Sequence, residues 1–143
     1  MRLTSFTDFA LRAMMRLAGE PDRLFTTEAI ADELQISRNH LVKVVRALAE
    51  AGFIATQRGA QGGFRLAQSA ADVTLGDVVR QLEARHALVE CFRSDGGQCI
   101  LTPRCRLKSR LAAAEQAFLA ELDKTSLADC AIPARAPRGR VSA

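Results

Sequence analysis

Apolar positions recur at helical spacing through the first fifty residues and then switch to a pattern of short strands. From residue 4 to 18, Phe6, Phe9, Ala10, Ala13 and Leu17 form one stripe of a helix. The opposite side carries Asp8 and Arg12 beside Leu11 and Met15. A helix that is apolar on two sides has two bodies to pack against. One side is therefore expected to face the core and the other a partner, with Gly19 and Pro21 ending the helix.

A second, shorter helix is predicted over residues 27–34, started by Thr26 or Thr27 and packed through Ala29, Ile30 and Leu34. Ser37 is a natural N-cap for a third helix that reaches Ala51 and stops at Gly52. Its buried face takes Leu41, Val44, Val45 and Leu48; Asn39, Lys43, Arg46 and Glu50 lie opposite, with His40 on the flank. Residues 53–57 and 64–66 then read as two short strands around the glycine-rich tip at 58–63, a β-hairpin. Helix, short helix, capped helix and hairpin in that order make a winged helix-turn-helix. Thr74 caps a fourth helix to about Leu82, and Leu107, Leu111, Ala114, Phe118 and Leu122 stripe a fifth. A helix that projects past such a domain has little core of its own to cover, so dimerisation is its expected use. The predicted class is mainly α. Its divisions are a DNA-binding winged domain over 1–85, a cysteine loop over 86–106, a dimerisation helix over 107–130 and a disordered basic tail over 131–143.

Charge sharpens this picture. The net charge is +4, but residues 37–66 alone carry five cations against one carboxylate, and Arg135, Arg138 and Arg140 close the chain with no acid after Cys130. Positive charge gathered on the third helix and hairpin is the footprint of a nucleic-acid surface. With no Trp or Tyr, stacking of single-stranded bases is a poor alternative. No apolar run approaches the ~18–20 residues of a membrane span and no signal-peptide pattern opens the chain, so a cytoplasmic protein without a membrane partner is expected. The major groove of double-stranded DNA accepts the first turn of a helix. Ser37, Arg38, Asn39, His40 and Lys43 occupy or follow that turn, while Arg58, Gln61 and Gly63 belong to the wing. Asn pairs bidentately with adenine, and Arg or Lys with guanine or phosphate.

The second chemistry lies in Cys91, Cys99 and Cys105, spaced C-x7-C-x5-C among Gly96, Gly97 and Pro103. Thiolates suit iron–sulfur clusters, zinc or copper(I). Structural zinc sites more often show C-x2–4-C pairs, which are absent here, and a single disulfide would leave one of the three over. Spacing alone leaves a cluster, zinc and reactive thiols open. Three cysteines are one ligand short of a closed site; Asp8, His86 and Cys130 are the candidates for the fourth. Neither His40 nor His86 has a nucleophile beside it, and no phosphate-binding glycine loop precedes a helix, so no enzyme is expected. A small electron-transfer protein would use the cysteines but not the basic helix and wing.

Residues 3–13, 37–45 and 58–66, extended by 102–108, 118–123 and 126–129, together resemble the Rrf-type winged-helix regulators, in particular the nitric-oxide-sensing NsrR branch. The resemblance covers the chain to about Asp129. It implies a homodimeric repressor of palindromic operator DNA that binds while an iron–sulfur cluster, 4Fe–4S in preference to 2Fe–2S, is intact. Nitric oxide attacking the cluster iron would release the DNA and derepress nitric-oxide stress genes. On matching positions Cys91, Cys99 and Cys105 become the cluster ligands, and Asp8 the fourth, supplied from the partner subunit. Seven residues between the first two cysteines is wider than in several NsrR-like sequences, and Glu90-Cys91-Phe92 also resembles the iron-responsive RirA branch.

Overall fold

The computed structural model describes residues 2–134 and shows five helices and one antiparallel hairpin in a winged-helix arrangement. The order is α1 (Ser5–Ala18), α2 (Thr27–Leu34), α3 (Arg38–Glu50), β1 (Ile54–Gln57), β2 (Gly63–Leu66), α4 (Leu75–Glu83) and α5 (Arg106–Leu122), with short 3-10 turns at Glu90–Phe92, Thr102–Arg104 and Ala128–Cys130. The first four helices are each started by a hydroxyl. Thr4 Oγ accepts from Thr7 N–H, Thr26 Oγ from Ala29 N–H and Ser37 Oγ from His40 N–H. Thr74 and Asp77 exchange both bonds of a capping box at 2.9 and 3.1 Å. In the hairpin Ile54 pairs with Leu66 and Gln57 with Gly63, and Phe25 adds a bridge to Phe64 on the outer edge.

One core serves α1–α4 and the wing. Met14, Leu17, Phe25, Ile30, Leu41, Val44, Leu48 and Val78 are essentially fully buried within it. Each large apolar side chain so enclosed is worth about 1.5–3 kcal/mol. The phase of α1 differs from the sequence expectation. Ala10, Ala13, Met14 and Leu17 face inward, whereas Phe6 and Phe9 are only partly buried. Leu11 and Met15, expected on a partner-facing side, are half-buried against the same core.

α1 also buries Arg16, whose side chain is only 3% exposed. Its guanidinium bonds Glu33 of α2 at 2.5 Å, bonds Glu20 beyond the end of α1, and lies 4.8 Å from the Phe25 ring centroid. Burial pushes its pKa down, but the two carboxylates outweigh that and raise it, so the group stays charged. At the other end of α1, the Glu83 carboxylate accepts from Thr4 N–H at 2.9 Å and Thr4 Oγ–H at 2.8 Å. That bond fastens the start of α1 to the end of α4.

From Arg80 to Ser126 no residue is buried. The chain leaves the core after α4 and re-enters at Leu127, which is fully buried and donates its N–H to Val73 O. Leu75 N–H to Thr125 O, together with Arg80 paired to Asp123, fastens the return to α4. The expectation of a tail without structure from residue 131 meets ordered backbone at its start. Ile132 N–H donates to Met15 O, and a Cβ at Gly19 would lie 2.0 Å from Ile132 O. Arg135, Arg138 and Arg140 lie outside the described residues. Among those described, no helix is long and apolar enough to cross a membrane.

Candidate nucleic-acid interface and cysteine loop

The exposed face of α3 and the wing meet on one side of the core. Ser37, Arg38, Asn39, His40 and Lys43 are all exposed, as are Arg58 and Gln61 at the hairpin tip. Each has a distinct local setting. Ser37 is occupied in capping α3. Arg38 Nε donates to Glu28 Oε1 at 2.7 Å, which holds the Glu28 carboxyl below its ordinary value and orients the guanidinium across the start of α2. His40 stacks on Phe9 of α1, with centroids 6.1 Å apart and planes inclined by 27°. Arg46 is paired with Glu50 at 2.8 Å. Lys43 and Arg58 enter no ion pair among the described residues, so their charge is available to a phosphate.

Gly63 is glycine for an internal reason. A Cβ there would come within 2.5 Å of Phe25 O, so the edge bridge to Phe64 requires its absence. Val42, outside the predicted buried face and not among the predicted site residues, is 43% exposed on α3; its methyls suit the thymine methyl group. The Phe9–His40 and Glu28–Arg38 contacts join different helices, and no local spacing signals them.

The cysteines present a different picture. Cys91, Cys99 and Cys105 are free and half-buried on the segment between α4 and α5, and Cys130 is free and half-buried after α5. Among the described residues no three His, Cys, Asp or Glu side chains are gathered closely enough to hold a metal. Asp8 pairs with Arg12 of its own helix at 2.6 Å and is about half-exposed. His86 is exposed, with Nδ1 3.5 Å from Glu83. Phe92, next to Cys91, lines a cavity of about 450 Å³ that also takes in Thr4, Glu83 and Leu119, so the cysteine segment abuts the joint between α1 and α4. Ile100, Leu101 and Leu107 are 92%, 65% and 62% exposed. The rest of the described chain does not cover these apolar side chains.

Residues 3–132 match the family model Rrf2, described as an iron-dependent transcriptional regulator. The chain belongs to the Rrf2 family. Members of the Rrf2 family are DNA-binding transcription regulators, typically dimeric, and not enzymes. Among solved structures the chain is similar to IscR of T. potens, with 25% identity and a TM-score of 0.72 over 90% of this chain and 85% of that one. It is also similar to CymR, the global cysteine regulator of B. subtilis, with 27% identity and a TM-score of 0.69 over 92% and 96%. The oxidized form of Staphylococcus aureus CymR is 25% identical, with a TM-score of 0.71 over 95% and 100%.

Proposed function

We propose that this Rrf2 regulator is a homodimeric repressor of palindromic operator DNA whose affinity is set by an iron–sulfur cluster on Cys91, Cys99 and Cys105, with nitric oxide as the signal. The observation that carries the reading is the pairing of a cationic α3 and wing with three free, half-buried cysteines on one segment of an Rrf2 chain. The donors fit a cluster in kind: soft sulfur side chains, none tied in a disulfide, on the segment that links α4 to α5. When bound, the cluster would supply iron that is open to small diatomic ligands; 4Fe–4S is the form proposed.

The protein's own residues supply the rest. Lys43 and Arg58 neutralise phosphates, Asn39 and Arg38 read base edges, and α5, with Leu107 exposed at its start, pairs two copies. Asp8, placed in the partner's cluster site as fourth ligand, would have to leave Arg12, an exchange that costs little because an exposed i,i+4 pair is worth only ~0.2–0.5 kcal/mol. Its neighbour Phe9 stacks on His40 of α3, a direct route from Asp8 to the reading helix. A second reading, response to iron status, is favoured by the family's description as iron-dependent.

Anaerobic protein is expected to show visible cluster absorption and to shift operator DNA, and to lose both on titration with nitric oxide. If iron chelation releases the DNA while nitric oxide does not, the iron reading replaces the first. A colourless preparation that still shifts DNA removes the cluster from both. Asp8 is tested with mixed dimers: Asp8→Ala in a subunit lacking the three cysteines should change the spectrum of its cysteine-bearing partner. An unchanged spectrum rules out ligation across the dimer.

A further inference from the structure

The seven residues between Cys91 and Cys99 form a closed loop with a defined neck. Glu90 Oε1 accepts the N–H of Gln98 at 2.9 Å. These two residues immediately precede the two cysteines. The backbones also touch: at Gly97, with φ +61°, an added Cβ would lie 2.7 Å from both Glu90 O and Glu90 Cγ. Inside the loop, Arg93 N–H donates to Glu90 O at 3.1 Å, Gly96 N–H to Arg93 O at 2.9 Å and Gly97 N–H to Asp95 Oδ1 at 3.0 Å. Arg93 and Asp95 are paired at 2.7 Å. Every turn of the segment directs the chain back on itself.

We infer that Glu90 is a positioning residue for the cysteine site: its carboxylate closes the Cys91–Cys99 loop, so that a wide sequence gap acts as a short one. The inference rests on the cluster reading for its purpose but not for its geometry. An open seven-residue spacer must lose loop-closure entropy when both thiolates bind one object. A neck already closed at the residues before each cysteine removes most of that loss and raises the effective concentration of the second thiol. Gly97 is glycine because the neck leaves no room for a side chain.

Two measurements on the full chain test this. The first needs no cluster. In a Cys105→Ser, Cys130→Ser background only Cys91 and Cys99 remain, and a trivalent arsenical that bridges two thiols is the probe. Glu90→Ala should weaken capture about tenfold, the lower range for loss of an outer partner. Glu90→Gln should restore it, because an amide oxygen still accepts from Gln98 N–H. Gly97→Ala should match Glu90→Ala with the carboxylate intact. Equal capture by all four proteins overturns the inference, and so does a Gln variant as weak as the Ala variant.

The second measurement follows loss of visible absorption under chelator in the four-cysteine protein, where Glu90→Ala should accelerate loss about tenfold and Glu90→Gln should not. An unchanged rate in Glu90→Ala overturns the positioning role. If wild type assembles no cluster, the function reading fails while arsenical capture still decides the neck. Glu90 lies outside the core, so thermal unfolding of the winged domain should be the same in all variants; a drop there would show the effect to be structural and overturn the inference.

Discussion

The part of the molecule proposed to read DNA and the part proposed to sense are built on opposite physical terms. Between Thr7 and Val79, α1–α4 and the wing share a dry core whose caps, pairs and sheet register are complete within one chain. Between Arg80 and Ser126 nothing is buried, the thiols are not gathered, and Ile100, Leu101 and Leu107 face outward. A surface that must meet DNA in one geometry benefits from being finished before it binds. A segment proposed to report on a bound group keeps exposed side chains for that group and for a second copy, beyond the few contacts that fasten it to α4 and α1. The difference teaches where stability is intrinsic and where it is conditional.

The sharpest way to break the comparison is to remove a thiol. Serine at Cys91, Cys99 or Cys105 should each abolish visible absorption of anaerobic protein, because an alkoxide-type ligand poorly replaces thiolate; Cys130→Ser should retain it. Apoprotein melting should stay within about 1 °C, a shift of under about 0.3 kcal/mol. A large loss of apoprotein stability would show that the loop belongs to the core after all.

Core substitutions come next. Leu48→Ala should cost about 2–5 kcal/mol in urea unfolding, whereas Leu107→Ala should leave apoprotein stability at low concentration unchanged and weaken self-association. Arg16→Ala strands Glu20 and Glu33. Those carboxylates are about a third exposed, so about 2–3 kcal/mol is expected, below the full cost of an unpaired buried charge. If Leu107→Ala destabilises the dilute monomer as much as Leu48→Ala does, the two halves are not distinct.

On the DNA side, Lys43→Ala and Arg58→Ala should each weaken operator binding. A base-reading contact would cost about 1–3 kcal/mol of discrimination, and a phosphate contact would lower the salt slope by about 0.9 per site. Operator titrations across a salt series separate these, and two wild-type curves would displace the interface from α3 and the wing.

The smallest effect concerns the Glu83 joint. Burial pushes the carboxyl up, but hydrogen bonds from Thr7 and Thr4 and the nearby His86 outweigh it and hold the pKa below the ordinary 4.5. A depressed folded-state pKa contributes stability above the unfolded value and loses it as pH falls through the folded one. Glu83→Gln should therefore cost about 1 kcal/mol at pH 7 and progressively less below pH 4.5. A constant difference down to pH 3 would contradict the assignment.

The part proposed to read DNA was legible because its signals are local. Thr26, Ser37 and Thr74 mark helix starts, and the Leu41, Val44, Leu48 spacing and the glycine-rich tip follow directly. The phase of α1 was not. Phe9, bulky and apolar, is only partly buried, while Met14, four residues after Ala10 and three before Leu17, faces inward with them. Leu127, one apolar residue in a polar stretch, gave no periodic signal although it is fully buried. The cysteine types and spacing were readable, but the neck depends on a carboxylate meeting a backbone N–H eight residues away, for which sequence has no pattern. Leu11 and Met15, expected to face a partner, are half-buried against the chain's own core.

The re-entry of the chain at Leu127 has a mechanical meaning. Residues 80–126 are not a trailing appendage but a handle fixed at two points: Glu83 gripping the start of α1, and the Thr125–Leu127 stretch with Asp123 gripping α4. A tail held at one end would swing freely and dissipate any push. A segment held at two points is restricted in how far it can move relative to α4 and the start of α1.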